Sequence, residues 1–206
     1  MTGRPRSVTD DEIFQAVAAV VSDVGPKGLT LAAVAQRAGL TAPALTQRFG
    51  SKRGLLLAFA TREASNVARV FADARAAHPD PLTALVTTLA GLPSGITTPE
   101  SLANNLAFLQ LDLTDPELRT HAVAQSRALR AEIAALITEA VQSGLLAEST
   151  SPQTLAADIY ATYCGAMLTW AIDGTGDLSG WLAEHLERTL APHRTQAADA
   201  AARDHR

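Results

Sequence analysis

Cysteine is nearly absent: Cys164 is the only one in 206 residues. That excludes a disulfide within the chain and fits a reducing compartment. Cys164 lies in the apolar run DIYATYCGAMLTWAI and reads as a small buried hydrophobe. Long apolar runs are missing as well. Hydrophobic residues make up 47% of the chain, yet no stretch reaches the roughly 18 uninterrupted apolar residues of a membrane span. The polar, basic start lacks the apolar core of an export signal, so a soluble cytoplasmic protein is expected. There is no paired-cysteine metal motif, no HExxH, no GxSxG and no glycine-rich loop after a strand. The five histidines, His78, His121, His185, His193 and His205, form no short-range ligand pair. His185 near Glu184 and Glu187 reads as a solvated helix edge. No enzyme, metal or cofactor is therefore expected; the competing class is an enzyme or carrier that assembles its site from distant residues of the same helices.

Cations are absent from one long stretch, since no lysine or arginine lies between Arg75 and Arg119. An anionic ligand held there would have to be neutralised from elsewhere, which favours a neutral or cationic apolar small molecule. The cations that exist are unevenly placed. Residues 1–53 hold seven (Arg4, Arg6, Lys27, Arg37, Arg48, Lys52, Arg53) against four anions (Asp10, Asp11, Glu12, Asp23), a net of +3. As the whole chain carries −4, the remainder carries −7. A locally basic end on an acidic body turns that end toward a polyanion.

The basic end contains LTLAAVAQRAGLTAPALTQRFGSKRGLL, Leu29 to Leu56. Thr30 can cap a helix whose apolar residues Leu31, Val34, Ala35 and Ala38 recur at helical spacing, and Gly39 stops it. Thr41 can cap a second helix with Pro43 in its first turn and with Leu45 and Phe49, four apart, facing inward. Pro43, Thr46 and Gln47 then face outward, flanked by Ala42, Ala44 and Arg48. Arg4 and Arg6 form a leader suited to phosphates or a minor groove. Ser51 followed by Lys52 and Arg53 places two cations at a helix start, a phosphate site. Two short helices joined through glycine also occur as plain packing elements; the charge around these ones favours DNA.

From about Asp10 to Leu57 the chain resembles the DNA-binding domain of the TetR family of bacterial transcriptional regulators. The resemblance rests on the leader GRPR, the threonine opening the second helix, VAQRAGL with the threonine after it, the inward Leu45 and Phe49, and SKRGLL. It implies a one-component regulator of double-stranded operator DNA, a repressor released by a small molecule. Thr46 departs from the pattern: family members usually carry a tyrosine there, whose hydroxyl holds a phosphate. Gln47 and Arg48 likewise stand where an aromatic or histidine pair is frequent.

No segment alternates as a strand would, so the fold class is all-α. A long helix opens at Ser51 and runs to Pro79. Asp80 with Pro81, Thr98 with Pro99, Asp115 with Pro116 and Ser151 with Pro152 each pair a capping side chain with proline at the first helical position. The spacing predicts helices over 82–92, 99–112, 116–143 and 152–172, then a last one over 178–190. The resulting division is a three-helix helix-turn-helix domain over 1–53 and a six-helix ligand-binding and dimerisation domain over 54–191. A tail, 192–206, is expected to fray.

The last two helices carry wide apolar faces. Ile159, Tyr163, Met167 and Trp170 recur on one, and Leu178, Trp181, Leu182, His185, Leu186, Thr189 and Leu190 on the other. A two-fold contact would cover them, the alternative being that both stripes bury within one subunit. The resemblance implies a dimeric four-helix bundle here, which assigns Ile159, Trp170, Leu178, Trp181, Leu182, His185, Leu186 and Thr189 to the homodimer interface. Polar residues among apolar ones mark a candidate pocket: Asn104, Asn105, Phe108 and Leu109, His121 and Gln125, and Tyr160, Tyr163 and Met167.

Overall fold

The computed structural model describes residues 8–173 and 175–195. Among them nine α-helices follow in order: α1 (Asp10–Gly28), α2 (Leu31–Ala38), α3 (Ala42–Phe49), α4 (Lys52–Ala77), α5 (Pro81–Gly91), α6 (Pro99–Thr114), α7 (Pro116–Gln142), α8 (Pro152–Asp173) and α9 (Leu178–Leu190). No strand occurs among the described residues, and one isolated bridge joins Leu146 to Arg194. All four prolines flagged as helix openers do open helices, because their missing amide hydrogen lies where the first turn has no acceptor for it. The caps are local chemistry. Asp80 accepts from the amides of Leu82 and Thr83, both at 2.9 Å. Asp115 accepts from Glu117 and Leu118 at 2.9 and 3.2 Å. Thr9 and Glu12 form a reciprocal capping box on α1.

The described residues form two compact units. One comprises those up to Glu63 together with Glu100–Ala122; the other comprises Ala64–Pro99 and those from Val123 onward. In the first, Ile13, Val17, Leu29, Val34, Leu45 and Leu55 are wholly buried. Around them Phe14 meets Phe49 and Phe59 with ring centroids 5.9 and 6.2 Å apart, and Phe59 meets Phe108 edge-on at 6.0 Å. In the second, Phe71, Leu82, Leu85 and Leu89 pack with Ile133, Leu136 and Ile137 and with Leu155, Ile159 and Leu186. Arg75 joins α4 to α7 there, donating to Glu132 and Glu139 at 2.9 Å each.

The stripes of the last two helices divide. Leu178, Leu182, Leu186 and Leu190 turn inward as α9 packs on α8 and α5, and Ile159 and Trp170 of α8 are buried too. Trp170 Nε1 donates to Gly176 O at 3.2 Å, closing the α8–α9 turn. Trp181, His185 and Thr189 are half-buried. The physical reason is spacing: leucines four apart make one seam along α9, and that seam is consumed by the chain's own core. Leu182 is 0% exposed, so Leu182→Glu should bury an unpaired charge and cost at least about 3 kcal/mol. Thermal unfolding checks this; a variant melting with the wild type would contradict the inward placement.

Candidate nucleic-acid interface

α2 and α3 are each eight residues long, and each opens on a threonine whose hydroxyl accepts an amide from the first turn, Ala33 on Thr30 at 3.1 Å and Ala44 on Thr41 at 3.4 Å. Gly39, in the left-handed conformation, ends α2 and donates back to it. Leu45 is 0% exposed and fixes the roll of α3. Pro43, Thr46, Gln47 and Arg48 are consequently exposed, with Ala42 and Ala44 half-buried beside them. Thr46 donates its hydroxyl proton to Ala42 O at 3.1 Å, so that proton is already engaged. The Gln47 side-chain amide has no partner among the described residues. It is the outward group on α3 able to donate and accept at one base edge.

The cations of this face are tethered within the chain. Arg48 reaches Val8 O at 2.9 Å and Asp10 at 2.7 Å. Arg37 pairs with Asp23. Lys52, a phosphate anchor in the sequence pattern, directs Nζ at Pro26 O, 2.7 Å away. Arg53 is clamped between Asp115 and Glu117 at 3.0 and 2.8 Å; the Glu117 and Asp115 hydrogen bonds raise its pKa, and Asp115, capping α7 and facing Arg53, is lowered. Gly54 in SKRGLL has its own reason: a Cβ there would lie 2.1 Å from Phe49 O, so α3 and α4 meet only over a glycine. Arg4 and Arg6 lie outside the described residues.

Two family models match this chain. One, described as bacterial regulatory proteins, tetR family, covers residues 13–59 and so spans the geometry above. The other, a BetI-type transcriptional repressor C-terminal model, covers residues 80–192. The chain belongs to the TetR family of transcriptional regulators. No curated protein matches it. Among solved structures it is similar to a putative TetR-family regulator from Rhodococcus, at 22% identity and TM-score 0.67 over 90% of this chain and 98% of that one. SmeT, the repressor of the Stenotrophomonas maltophilia multidrug efflux pump SmeDEF, aligns at 21% and 0.64 over 92% of each. FadR from Bacillus subtilis, in complex with stearoyl-CoA, aligns at 20% and 0.63 over 88% of this chain and 97% of that one. At such identities the likeness carries the fold.

The pocket candidates of this TetR-family chain are divided between the two units. Asn104 and Asn105 use their amide donors on Ser22 of α1, and Phe108 packs on Phe59. Leu109 is exposed, and His121 lies 3.5 Å from the Thr61 hydroxyl. All of these belong to the first unit, whereas Gln125, Tyr160, Tyr163 and Met167 belong to the second, each half-buried. Burial raises the phenol pKa of both tyrosines and the thiol pKa of Cys164. Each unit also has a surface groove, one of about 480 Å³ between α1 and α2 and one of about 540 Å³ between α7 and α8; neither is lined by a pocket candidate.

The sequence reading passed over Asp112. Its Oδ1 is buried with no partner among the described residues, and burial pushes the carboxyl from 3.8 up to about 6. Between these two values the folded chain keeps a proton that the unfolded chain has released. Its contribution to stability is full below the unfolded pKa and is lost as pH rises through the folded one. Asp112→Asn keeps the shape and removes the charge, so it should raise the melting temperature at pH 8, with the gap narrowing toward pH 4. Parallel thermal unfolding at both values decides it; a gap independent of pH would refute the assignment.

Proposed function

We propose that the chain is a homodimeric one-component repressor that leaves its operator when a small neutral or cationic apolar molecule binds. The observation that carries this is the face of α3: Leu45 is locked in the core and the free Gln47 amide points out. In this reading residues 1–53 read DNA, and 54–191 bind the effector and dimerise. The reader places Ala42, Pro43, Ala44, Thr46 and Gln47 in a major groove, with Thr30, Thr41, Arg48 and Lys52 near the backbone. Two α3 helices of a dimer would enter successive grooves about 34–36 Å apart. Effector binding would change that separation through α4, which is continuous from one unit into the other.

Physical features support the dimer. On α8, Ala161, Gly165, Leu168 and Ile172 are exposed at spacings of four, three and four, the seam period of paired helices. Ile172 is 82% exposed, which is unusual for so large an apolar side chain. On α9, Trp181 lies against His185 with ring centroids 4.6 Å apart, and its buried Nε1 lacks an acceptor among the described residues. A second chain covering the α8 seam would bury it. The effector class is supported by the cation-free stretch from Arg75 to Arg119 and by the unpartnered Asp112 carboxylate, which a cationic group would match. Similar folds include a repressor of a multidrug efflux pump and a regulator solved with stearoyl-CoA, so ligands with large apolar parts fit the proposal.

Selection of a duplex from random-sequence DNA, followed by mobility shift, tests DNA reading; failure to select any duplex would overturn it. Gln47→Ala should relax preference at one operator position and cost about 1–3 kcal/mol per half-site there, with non-specific affinity nearly unchanged. A parallel loss of both would make Gln47 a backbone contact. Ile172→Glu should give monomers of unchanged helix content with greatly weakened operator binding, because the avidity of two half-sites is lost. A persistent dimer in sedimentation would place the interface elsewhere.

A further inference from the structure

Pro26 sits inside α1 and has no amide hydrogen, so the carbonyl four residues earlier, that of Ser22, has no helical donor. Between them Gly25 leaves helical conformation at φ 67° and ψ 174°. A side chain from α6 completes the broken turn. Asn104 Nδ2 donates to Ser22 O at 2.9 Å, and its Oδ1 would lie 3.0 Å from any Cβ placed on Gly25. Asn105 adds a bond to Ser22 Oγ at 3.0 Å while holding its own helix at Ser101 O, 2.8 Å. Lys52, the first residue of α4, donates to Pro26 O in the same kink at 2.7 Å. Only Leu29 and Thr30 separate α1 from α2, so the position of the kink fixes where the helix-turn-helix begins.

We propose that Asn104 is a positioning residue for DNA binding: through the broken turn of α1 it sets the bearing of α2 and α3 on α6. The inference rests on the operator reading above. α6 falls within the carboxy-terminal family match, yet it belongs with the reader's unit. Asn104, 82 residues from Ser22 in sequence, is thus a part of the reader that neither α2 nor α3 contains. Its role is geometric: it touches no DNA, and it holds the one carbonyl of α1 that Pro26 deprives of a donor.

The test uses the full chain and a duplex selected by the wild type. Asn104→Asp keeps the shape and removes the donor; Asn104→Ala, which adds no charge, serves the same comparison where Asn104→Asp does not fold. The variant should keep wild-type helix content, bind the duplex roughly tenfold more weakly, and exchange the amides of residues 27–31 faster. In a Pro26→Ala background, which restores an amide at position 26 and leaves Gly25 unchanged beside Asn104, the same substitution should cost less. Equal affinity for variant and wild type would overturn the proposal, as would an equal loss in both backgrounds, which is the mark of general destabilisation. Hydrogen exchange needs no DNA. A wild type that selects no duplex overturns the operator reading, whereas unchanged exchange overturns the hold of Asn104 on the kink.

Discussion

An eight-residue helix cannot hold itself in water, and the function assigned to α3 depends on how that shortfall is met. One buried leucine meets most of it. Leu45 is fully enclosed among Val17, Val34 and Leu55, which are equally enclosed, and fixes both the position and the roll of α3. Thr41 satisfies an amide of the first turn, Pro43 removes another at no cost, and Gly54 lets α4 pass close to the end of α3. Since roll decides which residues face outward, the identity of the reading face follows from core packing rather than from any polar contact on that face. A core substitution that leaves every outward residue intact is therefore expected to damage recognition.

The basic residues of this end act under a second constraint. Arg37, Arg48, Arg53 and Arg62 each hold a carboxylate of the chain, and Asp10, Asp11, Asp23 and Asp115 are among their partners. These pairs are largely solvent-accessible, and ion pairs of that kind contribute little to stability. They are weak enough to be exchanged for phosphates, and until then they keep long side chains from collapsing elsewhere. On the proposed reading, the net +3 of residues 1–53 would orient the chain toward DNA, and contacts would form by exchange of partners. Lys52 differs, being half-buried on a backbone carbonyl of α1; moving it to a phosphate would leave that carbonyl short of a donor.

Much of the fold was legible because its signals are local. Thr30, Thr41, Asp80 and Asp115 cap within three residues of themselves, and proline marks four helix starts, so element order and type follow from short windows of sequence. The outward face of α3 was legible for the same reason. The illegible features depend on pairs distant in sequence: Asn104 on Ser22, Arg53 on Asp115 and Glu117, Arg62 on Asp11. Periodicity shows that a stripe on α9 is apolar without saying what covers it, and Leu178, Leu182 and Leu186 turned out to face the chain's own core. One signal was available and unused. A proline inside a helix orphans a carbonyl one turn back, and Pro26 announced that Ser22 needed a donor from elsewhere.

Where the chain leaves polar groups unmatched, it indicates what a second molecule must bring. Buried side-chain atoms without a partner among the described residues are few: Asp112 Oδ1, Trp181 Nε1 and Thr150 Oγ1, the last in the loop before α8 with nothing in the structure to explain it. Folding tolerates such groups poorly, since each costs about 1–3 kcal/mol, and here two of them coincide with proposed points of contact. Trp181 Nε1, on α9, lacks an acceptor among the described residues. Asp112 needs a donor or a proton, on the helix whose Asn104 and Asn105 donate to Ser22 of α1. A ligand that supplies a positive group to Asp112 would act on α6, and α6 is bonded to the kink from which the reader hangs. The group that α6 leaves unsatisfied and the bonds it makes to α1 belong to one element, so a proposed ligand at the first would have a short route to the second.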